Sequence, residues 1–310
     1  MTRIRIGIGF GIWRQGMPTP ATICAYAERA EDLGIDSIWL SDHIVSREPS
    51  LDTACVMALF AARTKRIKMG PSVLTLPARD PVQVAKTYAT LDYLSGSCGR
   101  VIMAVGLGSD PRDCEVSGIA PEERAGRLEE GVEVMRKLWA GPHVTHQGKY
   151  YKFSDITLNP RPANGALDVW IGGRTTAALR RVAKYGDGWF PSFVTADEFK
   201  AGMQQLVAYG AKYGRTIEPG EAGVLLLTYA SRDRARAEAI AQRLGEAFPV
   251  PAEALVARSA VGTPEDVIEK VQAYVDAGCS KFVLWPLSPP EELVAQIELY
   301  GREILPQFAS

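Results

Sequence analysis

Hydrophobic and polar positions along the chain follow two alternating periods. Short apolar runs are each followed by a polar or glycine-containing loop, and then by a longer segment with apolar residues at helical spacing. The unit recurs eight times along the sequence. The pattern therefore predicts eight β-strands, each followed by an α-helix.

The bounds of these elements follow from where each period begins and ends. The predicted strands are residues 4–10, 37–40, 67–73, 101–105, 168–171, 188–191, 223–229 and 281–284. The predicted helices that follow them are residues 19–33, 51–63, 81–94, 122–139, 175–185, 196–213, 233–248 and 291–304. Gly34 suits a helix end because glycine tolerates positive φ, and Pro81 suits a first helical turn.

Two insertions interrupt the alternation of strands and helices. Residues 141–167 are rich in proline and glycine around a strand-like stretch at 149–153, which predicts a hairpin inserted before the fifth strand. Residues 249–262 form a second insertion, which leads into an extra helix at 263–277 before the eighth strand.

Strands joined by helices pair in parallel, and eight of them favour a closed barrel. The alternative is an open doubly wound sheet, which carries a GxGxxG turn after its first strand. Here Trp13 stands where the third glycine is required. We predict an α/β fold, a single (β/α)8 TIM barrel over residues 1–310, with insertions before strand 5 and between strands 7 and 8.

Composition narrows the class of protein. The chain is 46% hydrophobic and 23% charged, with a formal net charge of −1 and mixed signs, which argues against a nucleic-acid partner. No apolar run approaches the roughly 20 residues that a membrane helix needs, and no signal-peptide pattern opens the chain. We expect a cytoplasmic protein. The five widely spaced cysteines form no CxxC pair, so neither disulfides nor a metal site is expected.

Chemistry in such barrels lies at the carboxyl ends of the strands. The second strand ends in Asp42 and His43, a carboxylate and an imidazole that can position a ring or move a proton. The alternative is a helix-capping aspartate beside a packed histidine. His143 and His146 fall in the predicted hairpin, and we assign them to surface structure.

Two further strand ends, the third and the fourth, suit a bound ligand. Ser72, Val73 and Thr75 lie on an extended segment that can bulge inward against a planar ring, although an ordinary buried strand end has the same pattern. Gly106 and Gly108 let a ligand approach the backbone closely.

The fifth strand leads directly into a helix. Gly172, Gly173, Arg174 and Thr175 join the two, and free N–H groups at a helix start bind anions. We predict a phosphate site here, with a plain capped glycine turn as the alternative.

Several motifs occur in a specific order and spacing. They are SIWLSDH at 37–43, SV at 72–73, RLEEG at 127–131, LW at 138–139, GKYY at 148–151, IGG at 171–173 and GDGW at 186–189. Over nearly the whole chain they resemble the bacterial luciferase-like superfamily of flavin-dependent and F420-dependent barrel oxidoreductases.

The resemblance implies a phosphate-bearing flavin or deazaflavin over the barrel mouth. It implies a non-prolyl cis peptide bond at Ser72–Val73 behind the ring and a phosphate-binding site at residues 172–175. It further implies that Asp42 and His43 contact the ring or act near the substrate, that Thr75 contacts the ring, and that the protein is a homodimer.

The segment 72–75 is similar to the deazaflavin-dependent members. Relatives that oxidise sugar phosphates carry glutamates where this chain has Phe10–Gly11 and Ser109, which argues against that substrate. We therefore expect hydride transfer between coenzyme F420 and a small organic substrate, with Asp42 and His43 handling the proton. The alternatives are an FMN-dependent monooxygenase that uses O2 and a non-catalytic flavin-binding barrel.

Aromatic residues near the mouth leave two interpretations open. An apolar pocket and ordinary barrel core both account for their positions, and the residues concerned are Phe10, Trp13, Trp189, Phe193 and Trp285.

Overall fold

The computed structural model describes residues 3–247 and 251–308. Its strands are β1 Arg5–Phe10, β2 Ser37–Leu40, β3 Lys68–Pro71, β4 Leu74–Thr75, β5 Met103–Gly106, β6 Val144–Gln147, β7 Lys152–Ile156, β8 Val169–Gly172, β9 Gly188–Phe190, β10 Gly223–Ala230, β11 Ser259–Gly262 and β12 Lys281–Pro286. Its helices are α1 Pro20–Asp32, α2 Thr53–Arg63, α3 Pro81–Leu94, α4 Arg112–Glu115, α5 Arg124–Ala140, α6 Thr176–Tyr185, α7 Ala196–Lys212, α8 Arg234–Ala247, α9 Ala252–Ala257, α10 Pro264–Asp276 and α11 Leu293–Leu299.

The parallel strands close into a ring. One sheet has the order β11-β10-β12-β1-β2-β3 and a second has the order β4-β5-β8-β9. Parallel bridges join the two sheets at Met69 with Val101 and at Trp189 with Ala222. The ring of β1, β2, β3, β5, β8, β9, β10 and β12 confirms the predicted (β/α)8 barrel.

Capping residues determine where the helices begin, and so how the loops leave the strand ends. Asp52 accepts a hydrogen bond from the Cys55 amide at the start of α2. Asp80 does the same at the start of α3, which opens with Pro81 as predicted. These caps place the loops that follow β2 and β3 against each other on the carboxyl side of the barrel.

Both predicted insertions are present, with different details. The hairpin strands are β6 and β7, whereas the stretch predicted as strand, 149–153, is mostly the turn between them. The second insertion contains a short helix, α9, and a strand, β11, which pairs in parallel with β10. Neither of these was predicted. The predicted helix end at Phe248 and insertion residues 249–250 lie outside the described residues.

Aromatic side chains fill the interior of the barrel. The ring centroids of Trp39 and Phe190 lie 4.6 Å apart, and those of Trp39 and Trp170 lie 6.0 Å apart. Below them the buried Lys281 ammonium is paired with Asp36 at 2.7 Å. This packed interior leaves the mouth at the carboxyl ends as the place for a ligand.

Candidate active site

His43 lies at the mouth, just beyond the end of β2. Its Nδ1 is 3.4 Å from Oδ2 of Asp113, a residue of α4. Both atoms are buried and have no hydrogen-bond partner among the described residues. The side chain of His43 is 14% exposed although its Nδ1 is buried, so the opposite edge of the ring, which carries Nε2, faces outward.

The Asp113 carboxylate is itself held in place. The side chain is fully buried, and Oδ1 accepts hydrogen bonds from the amides of Ile44 at 2.8 Å and Val45 at 3.0 Å. The other carboxylate oxygen, Oδ2, is thereby directed at the imidazole. A carboxylate in this position orients a histidine and selects its tautomer.

Asp42 has different surroundings from its neighbour. Its Oδ1 accepts hydrogen bonds from Arg79 at 2.9 Å and Thr53 at 3.1 Å, and its Oδ2 accepts one from the Thr75 amide at 3.0 Å. Burial raises the pKa of Asp42, while the Arg79 guanidinium opposes the increase. The carboxylate therefore ties β4 to the end of β2.

Ser72, Val73, Gly106 and Gly172 lie together across the mouth from β3 to β8, and we name them the platform. The Ser72–Val73 peptide bond is cis, as predicted. A Cβ on Gly106 would lie 2.5 Å from Val73 Cγ2, and a Cβ on Gly172 would lie 3.0 Å from Val73 Cγ1. The two glycines therefore admit the Val73 side chain against the backbones of β5 and β8. Ser72 Oγ is buried there without a partner among the described residues.

Thr75 packs beside this platform on the loop after β5. Gly108 has a φ of +80°, and a Cβ there would lie 2.7 Å from Thr75 Cγ2. Arg124 donates hydrogen bonds to the carbonyls of Leu107 and Gly108, which fixes the loop. The predicted residues Thr75 and Gly108 are thus in direct contact.

The predicted phosphate site lies at the start of α6. Thr175 caps the helix and accepts a hydrogen bond from Ala178 N. Gly173 has a φ of +116°, where a Cβ would lie 2.8 Å from the Ala178 Cβ. The Arg174 guanidinium reaches the Phe193 carbonyl at 2.6 Å. The first amides of α6 have no partners within the helix, which is the chemistry that binds an anion.

The aromatic residues near the mouth divide into two groups. Phe10, Trp13 and Trp189 are 2%, 5% and 1% exposed and belong to the core. Phe193 and Trp285 are only partly buried and pack against a separate apolar cluster at the mouth.

The two histidines of the hairpin differ from each other. His143 is exposed, as predicted, and contacts Asp155. The prediction was wrong for His146, which is only 6% exposed because it lies between Lys137 and Glu130. Among the described residues no group of histidine, cysteine, aspartate and glutamate forms a metal site.

The structure brings the predicted residues of the second, third and fourth strand ends together, with the helix start after the fifth strand beside them. Sequence reasoning missed Asp113 and Arg79, the partners of His43 and Asp42. No local motif marks either residue, since each partner lies on a different segment of the chain from the residue that it contacts. No helix in the described part of the chain is long and apolar enough to cross a membrane.

Comparison with known proteins gives a family match. The model of the luciferase-like monooxygenase family matches residues 5–249. The chain is 27% identical to a 5,10-methylenetetrahydromethanopterin reductase of Archaeoglobus fulgidus, over 91% of this chain and 94% of that protein. It is 28% identical to an F420-dependent glucose-6-phosphate dehydrogenase of Microbacterium testaceum, over 93% and 94%.

Solved structures share the fold. An F420-dependent secondary alcohol dehydrogenase in complex with an F420-acetone adduct superposes with a TM-score of 0.83 at 22% identity, covering 98% of both chains. The oxygenating constituent of 3,6-diketocamphane monooxygenase from Pseudomonas putida, in complex with FMN, superposes with a TM-score of 0.82 at 20% identity, again over 98% of both.

Proposed function

The chain belongs to the luciferase-like monooxygenase family, and from this premise we propose that it is an F420-dependent oxidoreductase. It transfers a hydride between coenzyme F420 and a small organic substrate at the mouth of the barrel. Relatives over more than nine-tenths of the chain include F420-dependent dehydrogenases, which supports this choice of cofactor.

The observation that carries the proposal is the platform at residues 72–73. Val73 packs closely against the glycine backbones of β5 and β8, and we assign the apolar surface that it forms to a tricyclic ring. The buried, unpartnered Ser72 Oγ offers a polar contact at its edge. We assign Ser72, Val73, Thr75, Gly106 and Gly108 to the ring.

The anionic part of the cofactor fits the start of α6. Gly172 and Gly173 lead from β8 toward the helix start, Thr175 caps the helix, and Arg174 adds a positive charge beside its first amides. This assignment places the phosphate end beside the edge of the platform.

Bound F420 supplies a ring carbon that accepts or gives up a hydride. His43 takes the accompanying proton at Nε2, because its Nδ1 is directed at Asp113. Asp42 is the positioning residue that holds Thr75, since its carboxylate oxygens accept hydrogen bonds from Thr53, the Thr75 amide and Arg79. The sequence pattern predicts that Asp42 and His43 share the proton transfer. We assign this transfer instead to His43 alone.

An FMN-dependent monooxygenase is the second candidate. The FMN-bound neighbour has the same fold, and a flavin ring needs the same kind of flat surface. The non-catalytic flavin-binding barrel is the third, and it would bind the cofactor without turnover.

Cofactor titration tests the proposal. The purified apoprotein is titrated separately with F420 and with FMN, and binding is followed by the fluorescence of each cofactor. We expect F420 to bind at least 10-fold more tightly than FMN. Tight FMN binding without affinity for F420 would overturn the assignment.

Matched arginine variants test the phosphate site. Arg174→Gln is expected to weaken F420 binding at least 10-fold, because one charge-assisted hydrogen bond contributes roughly 1.5–3 kcal/mol. Arg180→Gln, at an exposed position farther along α6, is the control and should bind F420 like the natural chain. Equal binding by all three proteins would place the phosphate elsewhere.

We also propose that the protein is a homodimer, as the resemblance to the superfamily implies, and that it is cytoplasmic, as the sequence pattern leads us to expect. The molar mass measured by light scattering tests the dimer, and a monomeric mass at micromolar concentration would contradict it.

A further inference from the structure

The carbonyl oxygen of Phe193 joins the proposed phosphate site to the second insertion. It accepts a hydrogen bond from Arg174 Nη1 at 2.6 Å and another from Arg258 Nε at 3.0 Å. Arg174 lies in the turn between β8 and α6, whereas Arg258 directly follows α9. Two guanidinium groups from separate elements therefore meet at one oxygen atom.

The backbone at Phe193 has an uncommon conformation. Its φ is +55°, in the left-handed region that non-glycine residues rarely adopt. Such a conformation persists only where the surrounding structure enforces it. Besides the two arginines on the Phe193 carbonyl, Tyr274 Oη of α10 donates a hydrogen bond to the next carbonyl, that of Val194, at 2.7 Å. Contacts with other elements therefore set the direction of the Phe193 carbonyl.

Arg258 is held firmly by the protein itself. Its Nη1 donates to the Ala254 carbonyl at 3.0 Å, and its Nη2 pairs with Glu198 Oε1 at 2.6 Å. The other carboxylate oxygen of Glu198 accepts a hydrogen bond from the Thr195 amide at 2.7 Å, in the capping box of α7. Each guanidinium nitrogen of Arg258 thus donates to a different protein acceptor, which fixes the group beside the Phe193 carbonyl.

Arg174 has contrasting surroundings. The residue is exposed, and the hydrogen bond from its Nη1 to the Phe193 carbonyl leaves most of its N–H donors to an anion at the start of α6. A long exposed side chain loses conformational entropy when a ligand fixes it, and fixing it beforehand reduces that loss on binding. The Phe193 carbonyl therefore preorganises Arg174 for the phosphate site.

We infer that Arg258 is a positioning residue for the phosphate site and acts on Arg174 through the Phe193 carbonyl. The second insertion thereby contributes to cofactor binding without contacting the cofactor. The inference rests on the proposed function, which assigns the anionic part of F420 to Arg174. If the charge of Arg258 attracted the anion directly instead, its effect would not depend on Arg174.

A double-mutant cycle of F420 binding tests this dependence. Arg258→Met is expected to weaken F420 binding at least 5-fold in the natural chain and less than 2-fold in the Arg174→Gln background. Lys270→Met is the matched control, because Lys270 has the same charge and donates to the carbonyls of Val256 and Ala257, beside Arg258. This control should bind F420 like the natural chain. Equal factors in the two backgrounds, or an equal loss in Lys270→Met, would overturn the inference.

Urea denaturation shows whether Arg258→Met remains folded. If it does not, Glu198→Gln replaces it in the cycle. Glutamine still accepts the hydrogen bond from the Thr195 amide, but it removes the charge that holds Arg258. We expect the same dependence on Arg174, and a loss of affinity independent of Arg174 would again contradict the inference.

NMR of the cofactor-free protein with 15N-labelled arginine tests the geometry without F420. A hydrogen bond to the Phe193 carbonyl slows rotation of the Arg174 Nη1 group, and the signal that disappears in Arg174→Gln identifies this arginine. We expect rotation at least 3-fold faster in Arg258→Met and unchanged in Lys270→Met. Equal rotation in Arg258→Met and the natural chain would overturn the inference. Failure of the natural chain to bind F420 would reject the proposed function instead, and the NMR result would still decide whether Arg258 positions Arg174.

Discussion

The imidazole of His43 lies between a buried carboxylate and the open mouth. Because Asp113 uses one oxygen for two backbone amides, only its other oxygen is available to the histidine. In the proposed reaction, this arrangement keeps a proton on Nδ1 and leaves Nε2 to exchange one with the substrate.

Replacing Asp113 tests this role. Asp113→Asn is expected to lower kcat at least 10-fold, and by no more than the roughly 10²–10⁴-fold that general acid–base catalysis contributes. F420 affinity should be unchanged, and the NMR signals of His43 should report a changed tautomer. With only three histidines in the chain, their signals can be assigned by substitution.

Asp110→Asn is the matched control, because Asp110 lies on the same loop and pairs with Arg112. The hydrogen bond from Arg112 lowers the pKa of Asp110 to about 2, so the control removes a charge at neutral pH as well. Equal losses in the two variants would mean that a general charge effect, and not orientation of His43, is responsible.

Some of these site residues can be predicted from the sequence and others cannot. Asp42, His43 and the glycines of the platform follow their strands directly, so the position of each strand end locates them. Asp113 and Arg79 meet their partners only because neighbouring strands place separate loops side by side. The surroundings that distinguish His43 from Asp42 are therefore tertiary, and a single sequence does not carry them.

Among the elements, the inserted hairpin is anchored by one side chain of α5. Glu130 accepts hydrogen bonds from the amides of Lys149, Tyr150 and Tyr151 and lies 3.2 Å from His146 Nε2. Gly148 is required beside it, since a Cβ there would lie 2.0 Å from Glu130 Oε1. Burial raises the pKa of Glu130, but these hydrogen bonds outweigh it and the pKa is lowered.

Removal of the Glu130 side chain tests this anchor. Glu130→Ala is expected to lower the free energy of unfolding by about 2 kcal/mol, because three amides lose a charged acceptor. Urea denaturation at pH 7 measures the loss, and hydrogen exchange should rise at residues 149–151. The exposed Glu133 on the same helix supplies the control, Glu133→Ala.

The pH dependence of this anchor has a defined sign. Since the folded pKa of Glu130 lies below its ordinary value of 4.5, its contribution is present above that pH. It is lost as pH falls through the folded pKa. The stability difference between the natural chain and Glu130→Ala should therefore shrink below pH 4.5, and a constant difference would contradict the anchor.

The sequence predicted strands and helices correctly where the hydrophobic periodicity extends over many residues. It failed where tertiary contacts determine the local structure. The eight strands and their following helices repeat at clear spacing, and the structure has them all. The turn at 148–151 has strand-like residues, yet Glu130 binds its amides and prevents a ladder there. Strand β11 is short and pairs with the end of β10, beyond the residues of β10 that bridge to the β9 side.

At the scale of the whole molecule, a buried ion pair closes the bottom of the barrel. Lys281 is fully buried and pairs with Asp36, and its ammonium lies 5.4 Å from the Trp39 ring and 5.8 Å from the Trp170 ring. Burial lowers the pKa of Lys281, while Asp36 opposes that change. The pair joins β12 to the segment that leads into β2.

Breaking one side of this pair should destabilise the fold. Asp36→Ala is expected to lower the free energy of unfolding by about 3–5 kcal/mol, because it leaves the Lys281 ammonium buried without a partner. The double variant Asp36→Ala with Lys281→Met should recover most of the loss in urea denaturation. An unaffected single variant would show that water already compensates the charge.

The barrel, its two insertions and the location of its mouth were all predictable from the sequence, because eight repeats of one unit leave few alternatives. The contacts between side chains at the mouth were not. They depend on which side chains the closed ring turns inward, as with Trp285 over Gly9.

In the proposed reaction, F420 bound at the mouth exchanges a hydride while His43 exchanges the proton. The F420-loaded protein is mixed in single-turnover experiments with a panel of small organic hydride donors, and the visible absorbance of oxidised F420 is followed. We expect loss of absorbance in the natural chain and in His143→Gln, and a rate lowered at least about 100-fold in His43→Gln with F420 still bound. Equal rates in His43→Gln and the natural chain, or bound F420 that no donor of the panel reduces, would show that His43 or the cofactor does not act in this way.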